Sequence, residues 1–192
     1  MTMDKNIKKR IFIAIDLPKE IKESIYKRYF NITDNNLKLV AQDNIHVTLK
    51  FIGYADKDKT MTIQKSLKRI AEKIDPFYFK VAKNISCFPK FKTAKVLFAG
   101  IREGSDNFLR LSKLLEDGLQ DVSIRKENRE YIPHITLARA KNACDASYLE
   151  EVIRFDLDDE VFCGKLSLFE SVLKKSGPEY NIIDEYDFKN CK

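Results

Sequence analysis

Two histidines occur in the 192-residue chain, and each opens the same four-residue pattern: His46-Val47-Thr48-Leu49 and His134-Ile135-Thr136-Leu137. Side chains alternate across a β-strand, so an extended segment puts His46 and Thr48 on one face, and likewise His134 and Thr136. Val47, Leu49, Ile135 and Leu137 then point the other way, into apolar packing. Each segment offers an imidazole beside a hydroxyl while its back anchors a core. Imidazole titrates near neutral pH, so of two facing rings one can be neutral and the other protonated. The neutral ring takes a proton from a nucleophile, and the protonated ring gives one to a leaving oxygen. Threonine hydroxyls donate hydrogen bonds to non-bridging phosphoryl oxygens. Such a set suits phosphate-ester cleavage without a metal. It suits acyl transfer poorly, because no activated serine or cysteine nucleophile accompanies the pair.

The elements that must position these groups follow from hydrophobic periodicity. Strands are expected at Ile11–Leu17, Leu37–Val40, Ile45–Ile52 (closed by Gly53), Phe77–Val81, Val96–Ile101, Ile132–Ala138, Val161–Cys163, Leu166–Leu173 and Tyr180–Phe188. Helical stripes cover Lys19–Phe30, Asp58–Ile74, Asp106–Gln120 and Asp145–Phe155. Ile85–Phe91 reads as irregular, and the charged run Arg125–Glu130 as a loop. One repeat stands out. A strand, a helix and a strand carrying HVTL form one unit, and a strand, a helix and a strand carrying HITL form a second. From strand start to histidine is 35 residues in the first and 38 in the second, and the histidines lie 88 residues apart. Two similar lobes related by a pseudo-twofold axis would bring the two histidine strands face to face.

Composition sets the frame. Hydrophobic residues make up 44% and charged residues 33%, which suits a globular chain, and 192 residues fit one domain. No apolar run approaches the roughly 18 residues of a membrane-spanning helix, and MTMDKNIKKR lacks the features of a signal peptide. A cytoplasmic location without membrane attachment is expected. None of Cys87, Cys144, Cys163 and Cys191 forms C-x-x-C or stands at zinc-ligand spacing with a histidine, so reduced thiols and no metal site are expected. The net charge of +6 favours anionic partners such as phosphates or RNA.

These residues resemble the two-histidine phosphoesterases, in particular the RNA 2′,3′-cyclic phosphodiesterases once described as 2′-5′ RNA ligases. The likeness covers nearly the whole chain: RIFIAIDLP from Arg10, NIHVTLKFIG from Asn44, Phe88-Pro89 followed by VLFAGI, PHITLAR ending at Arg139, and Ser171-Val172-Leu173 ahead of Gly177 and Tyr180. It implies an α+β fold of two pseudo-twofold-related lobes in a single domain over residues 1–192, with antiparallel sheets flanking a central cleft and helices outside. It implies hydrolysis of a 2′,3′-cyclic phosphate to a 2′-phosphate, with His46 as proton donor, His134 as proton acceptor and no cofactor. Substrates would be RNA ends carrying the cyclic phosphate, or small 2′,3′-cyclic nucleotides, met by a monomer. Joining or cleaving 2′-5′ linkages is the same chemistry with RNA in place of water, and a non-catalytic RNA-binding module is the remaining alternative. The chain departs from the family at Ala94-Lys95, where Pro-Arg is frequent, and at Phe98, where tryptophan is.

Thr48 and Thr136 are the expected phosphate ligands. Arg139 matches an arginine of the family motif, but strict alternation puts it opposite His134, so it reaches substrate only if the strand twists, bulges or ends near Ala138. Lys50 shares the face of His46 and Thr48 by the same alternation and could add charge at the cleft edge. Phe88 and Tyr131 are candidates for stacking on a base.

Overall fold

A computed structural model describes residues 7–122, 124, 129–155, 160–175, 177–189 and 191. Its first half is built on β1 (Lys9–Asp16), whose IFIAI run is buried on both faces. Ile11, Ile13 and Ile15 enter the main core, while Phe12 and Ala14 pack with Phe169 on the opposite side. Coverage on both faces is what a continuous apolar strand requires. This strand pairs with β3 (His46–Ala55) on one edge and β8 (Lys165–Lys174) on the other. In the second half, β5 (Ala94–Glu103) pairs with β6 (His134–Cys144) and β4 (Phe77–Phe88). Outer positions are taken by β7 (Val161–Cys163) beside β4 and β9 (Gly177–Asp187) beside β8. The short β2 (Leu37–Leu39) adds to β6.

Every described pairing is antiparallel, and the sheet order is β7-β4-β5-β6-β3-β1-β8-β9. The result is an α+β fold with a strongly curled sheet, a half-barrel. Its two halves meet at one registered pair, Val47 opposite Ile135, both fully buried. Four α-helices are described. In α1 (Lys19–Tyr26) Ile25 faces inward; α2 (Lys57–Ala71) buries Ile63, Leu67 and Ile70; α3 (Ser105–Gly118) buries Phe108, Leu111 and Leu115; and α4 (Tyr148–Val152) buries Leu149. Asp56 caps α2 by accepting from the Lys59 amide at 2.9 Å, satisfying one of the free donors of the first turn. Gly104 precedes α3 at φ +77, where an added Cβ would lie 2.5 Å from the Tyr78 carbonyl oxygen. No described helix is long and apolar enough to cross a membrane. The four cysteines are free.

The expected elements differ from these in particular places. Gly53 does not close β3 but lies within it at φ +82, at an irregularity against β1. The segment from Ile85 is strand as far as Phe88, paired with β5 after a register shift beyond Val81. The first helix stops at Tyr26, and the chain turns so that the buried Tyr29 can donate its hydroxyl to the Val40 carbonyl at 2.8 Å. The expected helix over Asp145–Phe155 is only the five residues of α4. Most of the expected loop Arg125–Glu130 lies outside the described residues.

Two matched bulges shape the centre. On β3 the register with β1 jumps from Thr48 to Lys50, and on β6 the register with β5 jumps from Thr136 to Ala138. Each jump adds one residue and inverts the alternation beyond it. Leu49 and Lys50 therefore both face the core, as do Leu137 and Ala138. Lys50 does not stand at the cleft edge. It is 3% exposed and forms an ion pair with Glu116 of α3. Breaking such a pair on one side leaves an uncompensated buried charge, at a cost of about 3 kcal/mol. Glu116→Ala is expected to destabilise the protein by about that amount in urea unfolding, while Lys50→Met, which keeps the volume and removes the charge, costs less. The reverse order would show that the ammonium is not held by this carboxylate.

Candidate active site

The Val47–Ile135 pair fixes which groups meet. One step along the antiparallel register, His46 comes opposite Thr136 and Thr48 comes opposite His134. Since Val47 and Ile135 enter the core, all four flanking side chains emerge on the other face. Directly opposite residues have α-carbons about 4.5–5.5 Å apart, which sets the two imidazoles and two hydroxyls on one face of the junction. His46, Thr48 and Thr136 line a cleft of about 510 Å³ there, closed on its sides by Phe12, Phe51, Arg139 and Tyr180, although His134 is not among the residues lining it.

Each ring is held the same way. Nδ1 of His46 lies 2.7 Å from the Asn44 carbonyl oxygen, and Nδ1 of His134 lies 2.7 Å from the Ile132 carbonyl oxygen. A carbonyl only accepts, so Nδ1 carries the proton in both rings and Nε2 is left for chemistry. Nε2 of His46 is 2.8 Å from Thr48 Oγ1, so in the neutral ring it accepts from that hydroxyl. Aromatic rings cushion both imidazoles. His46 sits 5.0 Å from Phe12, 5.3 Å from Tyr180 and 6.0 Å from Phe169, measured between ring centroids. His134 sits 5.3 Å from Phe88 and 5.1 Å from Phe98. The Asn44 side chain in turn donates to the Pro178 carbonyl at 2.8 Å, tying the turn before β3 to the β8–β9 hairpin.

Comparison with known proteins places this geometry. The profile described as the 2′-5′ RNA ligase superfamily matches residues 18–173. The chain belongs to that superfamily. It is 33% identical over 180 residues to the RNA 2′,3′-cyclic phosphodiesterase of Methanocaldococcus jannaschii, covering 92% of this chain and 99% of the relative. It is 30% identical over 186 residues to the RNA 2′,3′-cyclic phosphodiesterase of Aquifex aeolicus, covering 92% and 96%. Among solved structures, a Thermus thermophilus protein superposes with a TM-score of 0.81 at 26% identity over 95% of this chain and all of the other. Escherichia coli LigT in its apo form gives 0.79 at 24% identity over 96% of this chain and all of the other, a likeness of fold.

In this member of the 2′-5′ RNA ligase superfamily, the surroundings of the rings disfavour the imidazolium. Burial pushes His46 down from its ordinary value to about 4; its bond to the Asn44 carbonyl opposes this, while Lys22, Arg139 and His134 add to the depression. Burial also lowers His134, with the Ile132 carbonyl opposing and Arg139 assisting. Arg139 thus acts on both rings. The β6 bulge at Leu137 is what brings it to the cleft, where alternation alone would have turned it away. Phe51 holds the corresponding place five residues after His46.

Of the other sequence candidates, Phe88 packs against Phe98 with centroids 4.3 Å apart and meets His134 edge-on, so it supports the ring. Tyr131 donates its hydroxyl to the Thr48 carbonyl at 2.9 Å and clamps the segment before His134 onto β3. Sequence reasoning did not single out Asn44, Phe12 or Phe169 as site residues, and it weighed Arg10 only as part of the basic Lys8-Lys9-Arg10 run that could guide RNA inward. Asn44 falls within the NIHVTL segment and could have been found from the turn it must make; the aromatic rings come from distant strands and carry no local signal.

The depressed His46 has a consequence for stability. Its folded value, about 4, lies below its unfolded value, so between about pH 6.5 and 4 the unfolded chain binds the extra proton. The contribution is therefore present above about pH 6.5 and is lost as pH falls toward 4. His46→Gln is expected to flatten part of the fall in urea midpoint across that window. An unchanged slope would mean that His46 titrates normally in the folded protein.

Proposed function

We propose that this chain is an RNA 2′,3′-cyclic phosphodiesterase that opens the terminal cyclic phosphate to a 2′-phosphate by histidine acid–base catalysis. The observation that carries the reading is the crossed register, in which each HxT imidazole lies opposite the other motif's hydroxyl with both Nδ1 atoms committed to carbonyls. The relatives named RNA 2′,3′-cyclic phosphodiesterase support the reaction, and the structure of E. coli LigT with 3′-AMP supports a nucleotide as ligand of this fold. The cleft wall carries Arg10 and Arg139 and, among the described residues, no carboxylate, which suits an anion.

In the proposed reaction Nε2 of His134 takes a proton from water as its oxygen attacks phosphorus. Nε2 of His46 gives a proton to O3′ as the P–O3′ bond breaks, and the phosphate remains on O2′. Thr48 and Thr136 donate to the non-bridging oxygens, and Arg139 offsets their charge. In the free protein both rings are depressed, and His46 has the further burden of Lys22 nearby. The bound phosphate anion is therefore the counter-charge that lets His46 take up the proton it donates. The two halves act as lobes of a single domain over residues 1–192. Supporting this, the sheet order from the Val47–Ile135 junction runs outward through β3, β1, β8 and β9 on one side and β6, β5, β4 and β7 on the other. We propose that the protein works as a monomer, since all the groups named come from one chain.

The test is incubation with 2′,3′-cyclic AMP in EDTA, with the product isomer identified as 2′-AMP. His46→Ala and His134→Ala are each expected to lose at least about 10²-fold in kcat, and Thr48→Ala and Thr136→Ala about ten- to a hundredfold. Full activity in either histidine variant would end the assignment. The pH profile offers a separate check. The competent form holds one proton on the pair, and burial makes that proton hard to bind in the free protein. The basic limb of kcat/KM should then lie below the ordinary histidine value, and that of kcat should lie higher, because bound phosphate favours the imidazolium. Identical limbs in both profiles would contradict the coupling to phosphate.

A further inference from the structure

The histidine cleft does not end at Arg139. Asn44, Arg139 and Tyr180 line both it and a smaller side compartment of about 110 Å³, whose far wall holds Lys38, Leu39 and Gly177. Asn44 and Tyr180 are residues that touch His46, so the compartment opens one side chain away from the ring. Lys38 of β2 is registered directly opposite Arg139 of β6. Two cations thus sit side by side on adjacent strands, an arrangement that costs stability when nothing lies between them. Neither has an ion-pair or hydrogen-bond partner among the described residues, and neither compartment is lined by an aspartate or glutamate among them. The absence of a side chain at Gly177 leaves room for the ammonium, since a Cβ there would lie 3.0 Å from Lys38 Nζ.

We propose that Lys38, acting with Arg139, binds the phosphodiester linking the terminal nucleotide to its 5′ neighbour, so that the protein selects oligonucleotide ends over single cyclic nucleotides. This rests on the reading above, which puts the cyclic phosphate at the histidines. A terminal phosphate there leaves the next phosphate of the chain as the nearest anion available to the side compartment. A planar guanidinium and a flexible ammonium on neighbouring strands suit the two free oxygens of such a group. The repulsion between Lys38 and Arg139 is relieved when that charge enters, so the gain appears as affinity for substrate.

The experiment compares the dinucleotide ApA ending in a 2′,3′-cyclic phosphate with 2′,3′-cyclic AMP, in the wild type, Lys38→Ala and Lys38→Gln. The ratio of kcat/KM, dinucleotide over mononucleotide, is expected to fall about five- to tenfold in both variants, through KM, with a shallower salt dependence for the dinucleotide. Replacing the internal phosphodiester by a neutral methylphosphonate should cause a similar loss, and the two losses should not add. An unchanged ratio, or losses that multiply, would overturn the proposal. Failure of the wild type to turn over either substrate would instead count against the proposed reaction. In that case calorimetric titration with 2′-phosphorylated ApA and with 2′-AMP decides the present point: an affinity gap that shrinks in Lys38→Ala supports it, and equal affinities refute it.

Discussion

The registered pair between the two histidine strands, Val47 against Ile135, aligns the candidate site. These side chains are wholly buried, and each contributes about 1.5–3 kcal/mol by leaving water. The larger effect is geometric. A strand's side chains are locked to its register, so one apolar pair at the junction sets the positions of four polar groups on the other face. A slip of one residue by either strand at this junction would send that strand's imidazole into the core. The chemistry is thus specified by packing that lies behind it.

The two bulges extend the same logic. Without the extra residue on β6, Arg139 would point into the core and Ala138 into the cleft. The matching bulge on β3 turns Phe51 toward the cleft and Lys50 away from it. One backbone device, used twice, gives a guanidinium on one side and an apolar ring on the other. The halves share a scaffold, while the cleft walls they build are chemically unequal. Lys50, buried with Glu116 where the other half has Ala138, is the core counterpart of that inequality.

Much of this was legible in the sequence because it is local. The HxT spacing, the IFIAI and VLFAGI runs and the 88-residue interval between histidines follow from periodicity alone. The resemblance supplied the roles of the rings and the arginine at position 139. What was not legible depends on pairing between distant strands. The bulges are defined by a partner's register, so alternation misplaced Lys50 and left Arg139 conditional. The aromatic bed of His46 comes from β1, β8 and β9, and no local pattern signals that Phe12, Phe169 and Tyr180 meet. The long β4 was misread because pairing with β5 overrides an irregular local pattern, and the last helix stops at Val152 because Arg154 bridges to Asn84 of β4 and the Phe155 amide donates to the Lys83 carbonyl.

The carbonyl anchors at Nδ1 carry a further implication. A free imidazole can relay a proton through one nitrogen and out by the other, but here each ring has a single working terminal, because its second nitrogen is held 2.7 Å from a backbone oxygen. After one turnover of the proposed kind, the acceptor ring is left charged and the donor ring bare. Neither can be reset from behind. Recharging has to pass through the mouth of the cleft, and His46 takes its proton only as the next phosphate enters, so departure of the 2′-phosphate controls vacancy and the next arrival controls readiness.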